Sequence, residues 1–223
     1  MVAADSYEHI LQYLRERPRD GPYMCGLLFA PPGTEVGKSI LGRLMDWHYR
    51  SGDNFDFFCV GYGNWKEAGS QEEPVASIGP GNGLAAIEFY YNAKAYQEIR
   101  KDVSARSGYV HSGEADLLLV NVVNDPETGR PRIDFDEMVA LDIDLLVREK
   151  VFATTSRLLE RICQSADKAV ADGQTLSVDK FSDQQVLRTF LRGCMSKVVE
   201  TLKLDSILGA RHFIVGAHHL KTE

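Results

Sequence analysis

The sequence predicts an α/β protein: a three-layer mixed sheet of about five strands with a C-terminal helical extension. Two short apolar runs at 23–30 and 54–60 enclose a Pro/Gly loop and an amphipathic stretch, which is the pattern of a βαβ unit. The continuous apolar run at 116–123 indicates a central strand covered on both faces. The last third of the chain has helical periodicity. We expect an α/β domain over 1–150 and a helical extension over 151–223, packed as one globular unit.

Composition excludes several classes of protein. The formal net charge is −7, which argues against nucleic acid as a partner because phosphate neutralisation needs a basic face. The four cysteines are far apart and have no metal-ligand spacing, so we interpret them as reduced, buried thiols of a cytoplasmic protein. No apolar run reaches 18 residues, so no membrane association is expected.

The first half of the chain predicts alternating helices and strands. A helix over 5–17 precedes the strand at 23–30, and the next helix carries His48 on its apolar face, where histidine is more often a core residue than a ligand. Residues 62–83 have no period and are predicted to be a long loop. A strand at 84–91 then leads into a helix that Asn92 caps.

The second half predicts a β-hairpin followed by helices. The hairpin spans 116–136, with a turn at NDPETGRP, and 137–150 fits both helix and strand periodicity, of which we favour helix. One helix ends at Gly173, and another over 184–203 has a wide apolar stripe. This stripe is a candidate interface with a protein partner or a second copy of the chain, and RHFIVGAHHL is a candidate edge strand. The interface candidates are Phe190, Leu191, Met195 and Val198.

The loop APPGTEVGKS, at 30–39, resembles the phosphate loop of AAA-type ATPases in its APPGT and GKS segments. Such a loop binds phosphate through backbone amides, with lysine supplying charge and serine binding magnesium. The resemblance implies ATP with magnesium as ligand. Ala30 replaces the leading glycine, however, and Glu35 places an acid inside the cradle. The candidate nucleotide-binding residues are Gly33, Thr34, Gly37, Lys38 and Ser39.

The same stretch resembles thioredoxin-like proteins. In that family a strand ending in Ala-Pro precedes a CxxC motif at a helix start, followed by a strand, a helix, a β-hairpin and a last helix. Ala30 and Pro31 match, but Gly33 and Val36 occupy the two cysteine positions, and no proline directly precedes Asp116. The resemblance lies in the order of elements from 23 to 150 and implies a module without thiol-disulfide exchange, which needs thiolates.

The segment GEADLLLV with the following hairpin resembles PD-(D/E)xK nucleases, in which carboxylates on neighbouring strands hold magnesium. The resemblance implies Asp116, Asp134 and Asp136 as metal ligands, but no lysine stands at the expected position.

Each of these three constellations lacks a part that its chemistry requires. The sequence therefore favours a non-catalytic binding or assembly module without a cofactor, a subunit of a larger cytoplasmic complex. The alternatives are a nucleotide-binding protein that uses the 30–39 loop and a metal-dependent nuclease, itself degenerate.

Overall fold

The structure is a computed structural model, and it describes residues 1–17, 19, 22–43, 54–64, 74–78, 87–111, 114–148, 154–174, 176–178 and 212–215. Its strands are β1 (Val2–Ala4), β2 (Tyr23–Phe29), β3 (Phe57–Val60), β4 (Tyr62–Gly63), β5 (Ala76–Ile78), β6 (Ile87–Tyr91), β7 (Asp116–Asn124), β8 (Pro131–Asp142) and β9 (His212–Val215). Its helices are α1 (Tyr7–Glu16), α2 (Glu35–Leu41), α3 (Ala93–Ser107), α4 (Ile143–Arg148) and α5 (Thr155–Ala171). The predicted α/β class is confirmed.

The larger sheet is mixed and has six strands within the described ranges, in the order β1-β3-β2-β7-β8-β9. β1, β3 and β2 are parallel to one another, whereas β7 is antiparallel to both β2 and β8. β9 pairs with β8 in parallel at the edge of the sheet, where an edge strand was expected. A smaller antiparallel sheet has the order β4-β6-β5.

Alternating residues of the large sheet face two separate hydrophobic clusters, as the period of two in a strand requires. Met24 and Leu28 of β2 pack in one cluster with residues of α2 and α5. Leu27 and Phe29 of β2 pack in the other cluster with residues of α1 and α3. Helices therefore cover both faces of the sheet, which gives the predicted three layers.

The helix starts follow from side-chain caps. Asn92 caps α3, as predicted, because its side-chain oxygen accepts a hydrogen bond from the amide of Ala95 at 3.0 Å. Ser6 caps α1 by accepting from the amide of His9. Asp5 also stands three residues before an acidic residue, Glu8, which resembles a capping pair, but its carboxylate pairs with the imidazole of His9 at 2.8 Å.

Two predictions about local structure are corrected, and one strand was not predicted. Residues 137–142 continue strand β8, although we favoured helix; the strand is buried on both faces there, and only 143–148 is helical. Residues 62–83 are not entirely loop, since β4 and β5 lie within them. Residues 2–4 form β1, a strand too short to show a periodic pattern.

The interface helix predicted over 184–203, with Phe190, Leu191, Met195 and Val198, lies outside the described residues, as does His48. In the part of the chain that the structure describes, no helix has the length and apolar character needed to cross a membrane.

Candidate functional site at the carboxyl end of the sheet

Three loops meet at one end of the large sheet. The last residue of β2, Phe29, pairs with the first residue of β7, Asp116, which in turn pairs with the last residue of β8, Asp142. Loop 30–34, residues 114–115 before β7 and the start of α4 therefore lie at the same end. Ligands of open α/β sheets bind outside the carboxyl ends of parallel strands, so this end is the first place to look for a site.

Three backbone amides of the 30–39 loop hydrogen-bond within the loop itself. The amide of Thr34 donates to the carbonyl of Pro31 at 3.1 Å, and the amide of Lys38 donates to the carbonyl of Thr34 at 3.0 Å. The amide of Gly37 donates to the hydroxyl of Thr34 at 2.9 Å. A phosphate cradle needs amides that point at the ligand. These three amides instead form the start of α2, which is only seven residues long.

The two candidate glycines of this loop have different surroundings. A Cβ atom on Gly37 would lie 2.0 Å from the carbonyl oxygen of Pro31, whereas a Cβ on Gly33 would meet nothing within 4 Å. Gly37 is thus required by the close approach of the loop to its own helix. This packing explains the glycine of the GKS segment without a nucleotide.

Lys38 has a partner on its own helix. Its Nζ atom lies 2.8 Å from a carboxylate oxygen of Glu35, and both side chains are mostly exposed. The hydrogen bond and the charge of Lys38 lower the pKa of the Glu35 carboxyl. The acidic residue that the sequence placed inside the cradle therefore offsets the positive charge that would attract a phosphate.

The positions that would carry redox thiols contain no sulfur. Gly33 is exposed. Val36 belongs to α2, and its side chain is buried in the core. Cys25, Cys59 and Cys163 are buried elsewhere and form no disulfide in the described part of the chain, and Cys194 lies outside the described residues.

Burial determines the protonation of two of these thiols. It raises the pKa of Cys59 to about 12 and also raises the pKa of Cys25. Both groups are therefore neutral thiols at physiological pH and not nucleophilic thiolates.

The three candidate metal ligands do not converge. Asp116 pairs with Asp142, whereas Asp134 pairs with Asn121. Asn121 stands five residues after Asp116 along β7, a distance of about 17 Å at about 3.4 Å per residue. Asp136 is exposed, and Asp134 lies 3.7 Å from the guanidinium of Arg132. Within the described ranges, no group of three or more His, Cys, Asp or Glu side chains is placed to hold a metal ion.

The structure instead brings together a buried polar cluster at this end of the sheet, formed by Tyr109, His111, Asp116 and Asp142. The Nδ1 atom of His111 lies 3.4 Å from a carboxylate oxygen of Asp116, and both side chains are enclosed. The hydroxyl of Tyr109 hydrogen-bonds the same carboxylate; burial first, and then Asp116 and Asp142, raise the pKa of Tyr109. We call these four residues the His111 cluster.

Asp144, the second residue of α4, lies beside the His111 cluster and links α4 to Ala115, the residue before β7. A carboxylate oxygen of Asp144 accepts a hydrogen bond from the amide of Ala115 at 2.6 Å. Burial raises the pKa of Asp144, and the nearby carboxylates Glu114, Asp142 and Asp116 raise it further, against the opposite effect of the Ala115 amide. The carboxylates of Glu114, Asp116 and Asp142 thus interact with that of Asp144 at this end of the sheet.

Sequence reasoning missed most of the His111 cluster. It selected Asp116, but for metal chemistry, and it gave no role to Asp142, which is buried. The signal available in the sequence was the polar residues at the ends of the fully apolar runs of β7 and β8.

A scan of the chain against protein-family models gave no match, and neither curated proteins nor solved structures gave one.

Proposed function

We propose that this protein is a redox-inactive thioredoxin-like module that serves as a binding or assembly subunit of a larger complex in the cytoplasm. The observation that carries the proposal is the geometry of the 30–39 loop. Three of its amides bond within the loop, Lys38 pairs with Glu35, and its redox positions hold glycine and valine. These features support a structural role for the end of the sheet where a nucleotide or a redox partner would bind.

The order of elements supports the thioredoxin-like part of the proposal. β2 ends before Ala30 and Pro31, and α2, β3, α3, the β7–β8 hairpin and α4 follow in this order, with β4, β5 and β6 between β3 and α3. Apart from these three short strands, this is the order of elements expected from the resemblance over 23–150. β2 and β3 are parallel and β7 and β8 are antiparallel, which agrees with a βαβ unit followed by a hairpin.

The assembly part of the proposal has its support in the apolar stripe predicted over 184–203. Apolar residues at helical spacing need a covering surface, which in this proposal is a protein partner or a second copy of the chain. The stripe contains Phe190, Leu191, Met195 and Val198.

Light scattering of the purified full-length chain tests the assembly proposal. We expect a self-associated species or a complex with a co-purifying protein. Leu191→Glu should dissociate it, whereas Ser196→Glu, which adds the same charge between stripe positions, should not. Far-ultraviolet circular dichroism checks that both variants fold. A monomer without a partner, over the whole concentration range accessible to the instrument, would contradict the proposal.

A nuclease assay separates this function from the metal-dependent alternative. We expect no magnesium-dependent degradation of DNA or RNA by the purified protein. Degradation that disappears in Asp136→Ala would show that the protein is a nuclease and not a binding module. This variant alters only an exposed carboxylate.

A further inference from the structure

Three cations line up on the solvent-facing side of α5. Arg157, Arg161 and Lys168 are exposed and recur at helical spacing, four and then seven residues apart. The opposite side of the helix is buried in the core. At about 1.5 Å per residue, the three positions span about 16 Å along the helix axis. We call these three residues the basic row.

Within the described ranges, no acidic side chain pairs with the basic row. None of its three members takes part in an ion pair there. The two acidic residues of α5 itself are Glu160, which is partly buried, and Asp167, whose carboxylate accepts a hydrogen bond from the side chain of Asn54 at 2.7 Å. The positive charge of the basic row therefore faces solvent.

The first of these cations lies where it is unfavourable for the fold. Arg157 is in the first turn of α5, which has no acidic residue, and the positive end of the helix dipole repels a cation there. It also stands four residues before Arg161, and like charges at this spacing destabilise a helix. A residue that opposes the local preference of its element is typical of a functional surface.

We propose that the basic row is a docking surface for an acidic segment of a protein partner. Charge complementarity selects this occupant: a short acidic segment can form ion pairs with all three cations without approaching the rest of a chain whose net charge is −7. Nucleic acid fits less well, because the acidic remainder of the chain would repel a long polyanion. The inference goes beyond the proposed function and concerns a different part of the chain from the 184–203 stripe.

Nuclear magnetic resonance of the ¹⁵N-labelled protein, titrated with oligoglutamate, tests the docking surface. We expect saturable shifts of the α5 amide signals at low ionic strength, and weaker binding as added salt screens the charges. Arg157→Gln, Arg161→Gln and Lys168→Gln combined should raise the dissociation constant about tenfold, the loss expected for three exposed ion pairs. Absence of binding by the wild type, or equal binding by this row variant, would overturn the proposal.

Three exposed cations outside α5 provide the matched control. Lys94→Gln, Lys101→Gln and Arg130→Gln combined remove the same charge from α3 and the β7–β8 turn, and should leave the affinity for oligoglutamate nearly unchanged. A loss equal to that of the row variant would show that net charge alone attracts the probe, and the proposal would fail. Tighter binding of an oligothymidylate of the same charge, lost in the row variant, would identify nucleic acid as the partner and also overturn the proposal.

Thermal melting of Arg157→Gln gives a readout that separates docking from a structural role. Glutamine has a helix propensity similar to that of arginine but carries no charge. We expect the melting temperature to rise by roughly 1–4 °C, because the variant removes a cation from the first turn of α5. A fall in melting temperature would show that Arg157 is retained for the stability of the fold, and the proposal would lose its basis.

Discussion

Gly37 and Gly33 stand four positions apart in one loop, yet the structure requires only one of them. A methyl group at Gly37 would collide with the Pro31 carbonyl, which is backbone and cannot rotate away, whereas Gly33 faces open space. We expect Gly37→Ala to lower the free energy of unfolding by about 1–3 kcal/mol, the usual cost of overpacking.

Gly33→Ala is the matched control, because its backbone does not have the positive φ that only glycine adopts readily. Its effect should be within about 1 kcal/mol, and stabilisation is the expected direction since alanine restricts the unfolded chain. Urea denaturation of both variants measures the difference. Equal stability of the two variants would show that the loop does not pack on its helix in this way.

The buried carboxylate of Asp56 is a second group on which local structure depends. It is buried at the start of β3, where its carboxylate accepts hydrogen bonds from the hydroxyl of Tyr13 at 3.2 Å and from the guanidinium of Arg19 at 2.9 Å. Asp56→Ala would leave the half-buried Arg19 without this partner, so we expect a loss of about 3 kcal/mol in urea denaturation.

The exposed pair of Glu8 with Arg15 provides the comparison for Asp56. The carboxylate of Glu8 and the guanidinium of Arg15 are 2.7 Å apart, but both side chains are exposed to solvent. Glu8→Ala should therefore cost about 0.5 kcal/mol or less. A loss in Asp56→Ala as small as that in Glu8→Ala would contradict the buried network.

At the scale of elements, the start of α3 depends on a single side chain. We expect Asn92→Ala to cost about 1 kcal/mol, because the amide of Ala95 loses its cap, and Asn92→Ser to restore most of it. Lys94→Ala, at an exposed position of the same helix, is the control and should change little. Thermal or urea unfolding measures all three variants; no loss in Asn92→Ala would mean that α3 begins elsewhere.

The elements that could be predicted from sequence are those whose local pattern agrees with their packing. The apolar run of β7 and the Asn92 cap of α3 are local signals, and both were confirmed. The stretch 137–142 could not be assigned because its apolar residues fit two periods. Pairing with β7 on one side and with β9 on the other makes it a strand, and the residues of β9 are distant in sequence.

The same limit applies to the site. The residues of the 30–39 loop were identified from a motif, but the direction of their amides depends on backbone geometry that a motif does not encode. The contact of His111 with Asp116 depends on where residues 108–111 lie relative to the start of β7. The sequence alone gives no spacing rule for such a contact.

At the scale of the whole molecule, the burial of the cysteines predicts that no thiol in the described part of the chain reacts rapidly. With a pKa of about 12, Cys59 would be roughly one part in ten thousand thiolate at pH 8. In a Cys194→Ser variant we expect Ellman's reagent to detect no thiol in the native protein and three thiols after unfolding in urea. A rapidly reacting thiol in the native variant would contradict the redox-inactive part of the proposed function.

The claim that the 30–39 loop is a structural turn is tested most directly by thermal melting in the presence of ATP and magnesium. A ligand at a hundred times its dissociation constant would stabilise the folded state by about 2.7 kcal/mol, a rise of roughly 5–10 °C for a chain of this size. We predict no rise in melting temperature for the wild type or for Lys38→Ala. A saturable rise in the wild type that is lost in Lys38→Ala would show that the loop binds nucleotide and would contradict the proposed function.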